Sequence, residues 1–178
     1  AATRAARDRA EAAVRAWIEG AGVEHDVGAR PGEFVVVLPG EARLRTAVSV
    51  LVGDQALSAS AFVVRRPDEN HEAFYRWLLR RNLRLPGIAY ALDHSGDVFL
   101  VGRLPVDAVT EDEVDRLLGA VLVACDGAFN ELLAIGFLES MKREWAWRVE
   151  RGEPTRNLEA FRHLLDPEGL AGPEGPRA

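Results

Sequence analysis

The segment Thr110-Glu111-Asp112-Glu113 constrains this chain more than any other. Threonine followed three residues later by glutamate is the reciprocal cap that starts a helix. Carboxylates in the first turn face the positive end of the helix dipole. Beyond the cap, Val114, Leu117, Leu118, Val121, Cys125, Phe129, Leu132 and Leu133 recur at helical spacing. The pattern predicts a helix of about six turns with an unbroken apolar stripe. Such a stripe must be covered, by a sheet or by other helices.

The rest of the chain supplies a sheet. A first helix is expected over residues 3–19, with Ala10, Ala13, Val14, Trp17 and Ile18 on one face and Gly20 and Gly22 behind it. Three strands come next, at 34–38, 47–52 and 57–64, separated by Pro-Gly and Gly-Asp turn signals. A second helix over 69–83 begins after Pro67-Asp68, with Asp68 or Asn70 as its cap. Residues 88–92 and 98–101 flank an Asp/Ser/Gly loop as a hairpin. Past the capped helix, 138–151 and 155–165 read as further helices, and the Gly/Pro-rich stretch from Asp166 as a mobile tail. The expected class is α+β: an antiparallel sheet packed with helices in the order α-β-β-β-α-β-β-α, plus a C-terminal helical extension. The division is a domain at 1–136, the extension at 137–165 and a flexible tail at 166–178.

At 178 residues, this is enough for one domain with its own core. A net charge of −6 argues against general nucleic-acid binding and against anionic membranes. The lone Cys125 excludes an intramolecular disulfide, no apolar run approaches the length of a membrane span, and the N-terminal residues lack a signal-peptide core. The expected location is the cytoplasm.

No pattern that carries catalytic or metal chemistry is complete. His25, His71, His94 and His163 lie in no ligand spacing that would hold a metal. Asp93-His94-Ser95-Gly96-Asp97 puts glycine at the fourth place, and Leu104 where a calcium loop needs its twelfth-position glutamate, so it reads as a turn. Cys125 sits on the apolar stripe and reads as a small core residue. Neither phosphate loop, GxxxxGK[ST] nor GxGxxG, is present, and GxSxG is missing too. The acidic residues 111–115 are explained by capping. No catalytic, cofactor-binding or metal-binding residue is assigned, no cofactor is expected, and the chain is read as not an enzyme.

Two clusters suggest a binding surface instead. Arg65, Arg66, Arg76, Arg80, Arg81 and Arg84 surround the second helix, with Tyr75 and Trp77 among them. Arginine forks suit carboxylates and phosphates, although such runs also serve as solvated, ion-paired faces. On the later helix Met141 and Trp145 share a face while Trp147 points elsewhere. Tryptophan is enriched where partners meet. The partner-contacting candidates are therefore Arg76, Arg80, Arg81, Arg84, Trp145 and Trp147.

The element order and residues 77–153 resemble the YbjN-domain proteins, a bacterial family linked to sensory-transduction regulation. The resemblance rests on Asn82-Leu83-Arg84-Leu85-Pro86-Gly87, the Asp-rich hairpin before Val98-Phe99-Leu100-Val101, the acidic-capped helix, and Glu144-Trp145-x-Trp147. The YbjN fold is in turn similar to type III secretion chaperones, small dimers that hold partly unfolded segments of other proteins. The resemblance implies a homodimeric, non-catalytic protein- or peptide-binding module, chaperone-like or a regulatory adaptor. The alternative is a small-molecule-sensing regulatory domain or an uncharacterised enzyme, which a deep pocket with convergent polar groups would reveal. Nucleic-acid binding would require all six arginines on one face.

Overall fold

A computed structural model describes residues 2–169. Its elements are α1 (Ala2–Ala21), β1 (Glu24–Val27), β2 (Glu33–Pro39), β3 (Arg45–Val52), β4 (Ala56–Val64), α2 (His71–Asn82), β5 (Ile88–Leu92), β6 (Val98–Pro105), α3 (Glu111–Gly136), α4 (Leu138–Arg151) and α5 (Arg162–Leu165), with 3-10 turns before α3 and α5. The class is α+β, as the strand and helix patterns predict. The strands form one six-stranded sheet in the order β1-β2-β3-β4-β6-β5. Every neighbouring pair is antiparallel.

Alternation along the strands sorts the side chains onto two faces. Val36, Val48, Ala61, Leu100 and Tyr90 form one buried row across the sheet. Against this face lies α3, whose cap forms as expected: Thr110 accepts a hydrogen bond from the Glu113 N–H at 3.1 Å. Val114, Leu118, Val121, Cys125 and Leu132 are fully or almost fully buried. Each such side chain contributes about 1.5–3 kcal/mol relative to exposure. Gly102 of β6 allows the close approach. A Cβ there would stand 2.8 Å from both Leu117 and Ile88. This is why β6 runs on through Gly102 to Pro105 when the sequence suggested an end near Val101.

α1 covers the sheet beside α3 with Ala6, Ala10, Val14 and Ile18, and the Trp17 indole donates to Asp115 at 2.8 Å. By length and composition α3 would suffice to cross a bilayer, contrary to the reading that no run approaches that length. Here its apolar stripe is spent on the sheet.

There are four strands before α2, not three. β1, Glu-His-Asp-Val, is exposed at every residue, so no burial periodicity marks it. It forms because Gly32, at φ 75°, turns the chain back, and because Glu33 ties the hairpin together. The Glu33 carboxylate accepts from the Ala29 N–H at 3.2 Å and pairs with Arg30, which lowers its pKa.

The C-terminal helices carry a second small cluster, Met141, Trp145, Leu158 and Phe161. Leu133 packs against both this cluster and the main core. Residues 65–70 clamp the α3–α4 joint. The Asp68 carboxylate accepts from Arg65 at 2.8 and 3.0 Å and from the Ser140 hydroxyl at 2.9 Å. Arg65 holds the Asp68 carboxyl down at about 2, with Ser140 assisting. Asn70 does occupy the cap position of α2, but in the left-handed region, and its amide donates to the Ile135 carbonyl instead of capping. Residues 170–178, most of the expected tail, lie outside the described residues.

Candidate protein-binding surfaces

Among the described residues the helices cover one face of the sheet and leave the other open. Across the open face the register aligns Glu24, Val37 and Ala47 in one run and Phe62, Phe99 and Ala91 in another. The next row is Asp26, Val35, Ser49, Ser60, Val101 and Ala89. A third runs through Leu51, Ser58 and Arg103. All of these are half-buried or exposed, and Phe62 is 39% exposed. Phe62 and Phe99 meet edge to face at 5.6 Å. Val35, Val37, Phe62, Phe99 and Val101 give this face apolar area, interrupted by Ser49, Ser58 and Ser60. None of these residues stands among the partner-contacting candidates drawn from the sequence. The available signal was the alternation Leu57-Ser58-Ala59-Ser60-Ala61, which puts serine opposite the core.

Side chains occupy part of both sheet edges. On β5 the Asn82 amide takes both outward backbone groups of Tyr90: it accepts from the N–H at 2.7 Å and donates to the C=O at 3.2 Å. On β1 the Gly28 N–H points inward to Glu33, so by alternation that of Val27 points outward. Asp26 accepts it at 2.7 Å. The His25 ring lies 3.2 Å from the Val23 carbonyl.

The arginine helix is less uniform than its sequence suggests. Arg76 pairs with Glu72 at 2.6 Å, and Arg81 lies over Trp77 near Glu131, whose carboxylate also accepts from the Trp77 indole at 2.9 Å. Arg65 belongs to the Asp68 clamp and stacks on Phe137. Arg80 and Arg84 are exposed and have no acidic partner among the described residues. The outward side of α2 also presents Leu79 and Leu83, 67% and 87% exposed, beside Tyr75. Together with Arg76 and Arg80 these line a shallow groove. Neither leucine stands among the partner-contacting candidates drawn from the sequence, because the arginines around them dominate the pattern.

On α4 the two tryptophans part as their spacing predicts. Trp145 is buried in the small cluster under Arg162, whereas Trp147 is 47% exposed and carries Arg151 over its ring at 4.9 Å. Trp145 therefore offers no surface to a partner in this conformation.

Buried titratable groups lie in the core. Burial pushes the Cys125 thiol up to about 11, so it remains protonated at neutral pH, where a nucleophile would need the thiolate. Burial likewise raises Tyr90 to about 12, and its hydroxyl donates to the Ala124 carbonyl at 2.9 Å. Among the described residues no group of three or more His, Cys, Asp or Glu side chains is placed to hold a metal ion.

Residues 11–134 match the family model YbjN, described as a "putative bacterial sensory transduction regulator". An uncharacterised protein of Mycobacterium leprae is 52% identical over 136 residues, 76% of this chain and 74% of that protein. Among solved structures, YbjN from E. coli aligns with a TM-score of 0.53 at 14% identity, covering 70% of this chain and 91% of that one. The HopA1–SchA chaperone–effector complex aligns at 0.50 and 12% identity, covering 68% and 92%. The heterodimeric ExoU–SpcU complex of the Pseudomonas aeruginosa type III secretion system gives 0.51 at 13%, covering 68% and 96%. At these identities the likeness is one of fold. The neighbours are regulator- or chaperone-like, not enzymes.

Proposed function

The chain belongs to the YbjN family, and from that premise we propose that it is a non-catalytic module that holds a segment of another protein against the open face of its sheet. The observation that carries this is the face itself: an apolar surface centred on Phe62, Phe99 and Val101, opposite the face that the helices cover. The chaperone-like neighbours, crystallised with protein partners, support the same use of the fold. The module acts as a regulatory adaptor or chaperone. Its one cysteine, buried and free, suits a reducing cytoplasm.

The module works as a homodimer joined through the outer side of α2. Leu79 and Leu83 are too exposed to be core residues, and a two-fold axis across the helix buries them against their copies. An antiparallel pair also brings Glu72 of one copy toward Arg80 and Arg84 of the other. In this reading Arg76, Arg80 and Arg84 serve the dimer, and Trp147 is a secondary contact.

Two measurements test the proposal. Light scattering of the intact chain is expected to give twice the monomer mass, and Leu79→Asp with Leu83→Asp is expected to halve it. A wild-type monomer at high micromolar concentration removes the dimer. Proteins retained from a host lysate by the wild type are expected to be lost on Val101→Arg. Retention unchanged by that substitution removes the open face as the site.

A further inference from the structure

The end of β4 departs from a regular ladder. Its pairing with β3 runs from Val52–Leu57 to Val48–Ala61. Against β6, Phe62 opposes Phe99 and Val64 opposes Val98, so Val63 is an extra residue. Such a bulge leaves the inserted residue outside the ladder. Val63 and Val64 both turn into the core, while Phe62 stays on the open face.

One side chain takes up what the bulge leaves. Arg43, half-buried in the loop between β2 and β3, donates from Nη1 to the Phe62 carbonyl at 2.5 Å and to the Val63 carbonyl at 2.8 Å. Its guanidinium lies 5.6 Å from the ring centroid of Phe62 and 5.6 Å from that of Phe129 on α3. Phe62 is therefore held from two sides, by Arg43 and by the edge-to-face contact with Phe99. The loop is itself anchored to α3, because the Asp126 carboxylate accepts from the Arg43 N–H at 2.8 Å. A path of contacts thus runs from α3, on the covered side of the sheet, to an aromatic pair on the open side.

We infer that Arg43 is a positioning residue for the open face: it fixes Phe62 against Phe99 and ties that pair to Asp126, a role that rests on the face-binding reading above. A partner meets a ring already set, and any event that lifts the loop from Asp126 releases it.

Fluorine NMR of the full chain reads the ring directly, with 4-fluorophenylalanine in place of Phe62 and, in a second preparation, of Phe34. Arg43→Ala is expected to move the Phe62 resonance toward its position in the urea-unfolded chain and to leave that of Phe34 in place. Arg43→Lys keeps the charge but loses the flat fork, and should move it part of the way. Asp126→Ala should move it in the same direction, and Asp126→Asn, which keeps an acceptor oxygen for the Arg43 N–H, should restore it. Asn82→Ala, at the far edge of the sheet, should leave it unmoved. Host proteins retained by the wild type and lost on Val101→Arg are expected to be retained about tenfold less by Arg43→Ala. A Phe62 resonance unmoved in Arg43→Ala, or moved as far by Asn82→Ala, overturns the inference. So does a moved resonance with retention undiminished. Should Arg43→Ala displace the Phe34 signal as well, the chain has unfolded, and Arg43→Lys and Asp126→Ala decide by the same criteria. Retention indifferent to Val101→Arg ends the face-binding reading separately, and the fluorine signal, which needs no partner, still decides whether Arg43 holds the pair.

Discussion

Replacing Asn82 by alanine isolates what one side chain does for an edge strand. The amide makes two hydrogen bonds to Tyr90, at 2.7 and 3.2 Å, and nothing else in β5 is held from outside the sheet in this way. A hydrogen bond contributes about 0.5–1.5 kcal/mol net, and a buried group left unpaired would cost more. β5 is at the edge, so water reaches the freed groups and the penalty stays near the simple sum. The expected loss for Asn82→Ala is therefore about 1–3 kcal/mol. Asn82→Asp refines the argument. A carboxylate still accepts from the Tyr90 N–H but sets an oxygen against the Tyr90 carbonyl, so this variant should be no more stable than the alanine one. Urea denaturation followed by far-UV circular dichroism reads the difference, with an unchanged slope as the sign that only stability has moved. Hydrogen exchange supplies the local measure: the Tyr90 amide should exchange faster in Asn82→Ala while that of Leu100, inside the sheet, tracks global stability. A loss under about 0.5 kcal/mol with Tyr90 protection intact would refute the role given to Asn82.

Three further outcomes are expected at other sites. Asp68 has a folded-state pKa lowered to about 2 by Arg65 and Ser140, so its contribution is complete above the ordinary carboxylate range and fades as pH falls from about 4 to about 2. The stability gap between wild type and Asp68→Asn in denaturant titrations should close over that interval, and a gap constant with pH contradicts the clamp. The buried Thr46 hydroxyl has no hydrogen-bond partner among the described residues, so Thr46→Val should raise stability by about 1 kcal/mol in the same assay, and a loss would show that the hydroxyl is satisfied. Gly102→Val should lower stability by about 1–3 kcal/mol, because its Cβ alone would collide with Leu117 and Ile88; a neutral result means that α3 can lift off the sheet.

The sequence revealed elements whose burial is periodic and hid those whose burial is not. α3 could be read from Thr110 to Leu133 because one strong cap opens a one-sided stripe. β1 could not, since all of its residues face water and its pairing depends on Glu33 reaching back across a turn. The continuation of β6 was hidden by Gly102, a residue that usually interrupts strands but here makes room for a leucine. The candidate site divides similarly. Arginine and tryptophan drew attention through residue type, yet Trp145 proved to be core and Arg81 part of a clamp with Trp77 and Glu131. The open face consists of valine, serine, alanine and phenylalanine, which look ordinary until register places them side by side.

The two hydrophobic clusters bear on how chains of this kind diversify. Met141, Trp145, Leu158 and Phe161 satisfy one another, and they share Leu133 with the main core near the residue where the family match ends. A lineage can thus replace the helices beyond α3 without repacking the sheet, provided that it keeps a large apolar residue at position 133 and acceptable partners for Asp68. Mutational drift should run faster beyond that joint than before it, with the joint itself as the slow-moving boundary.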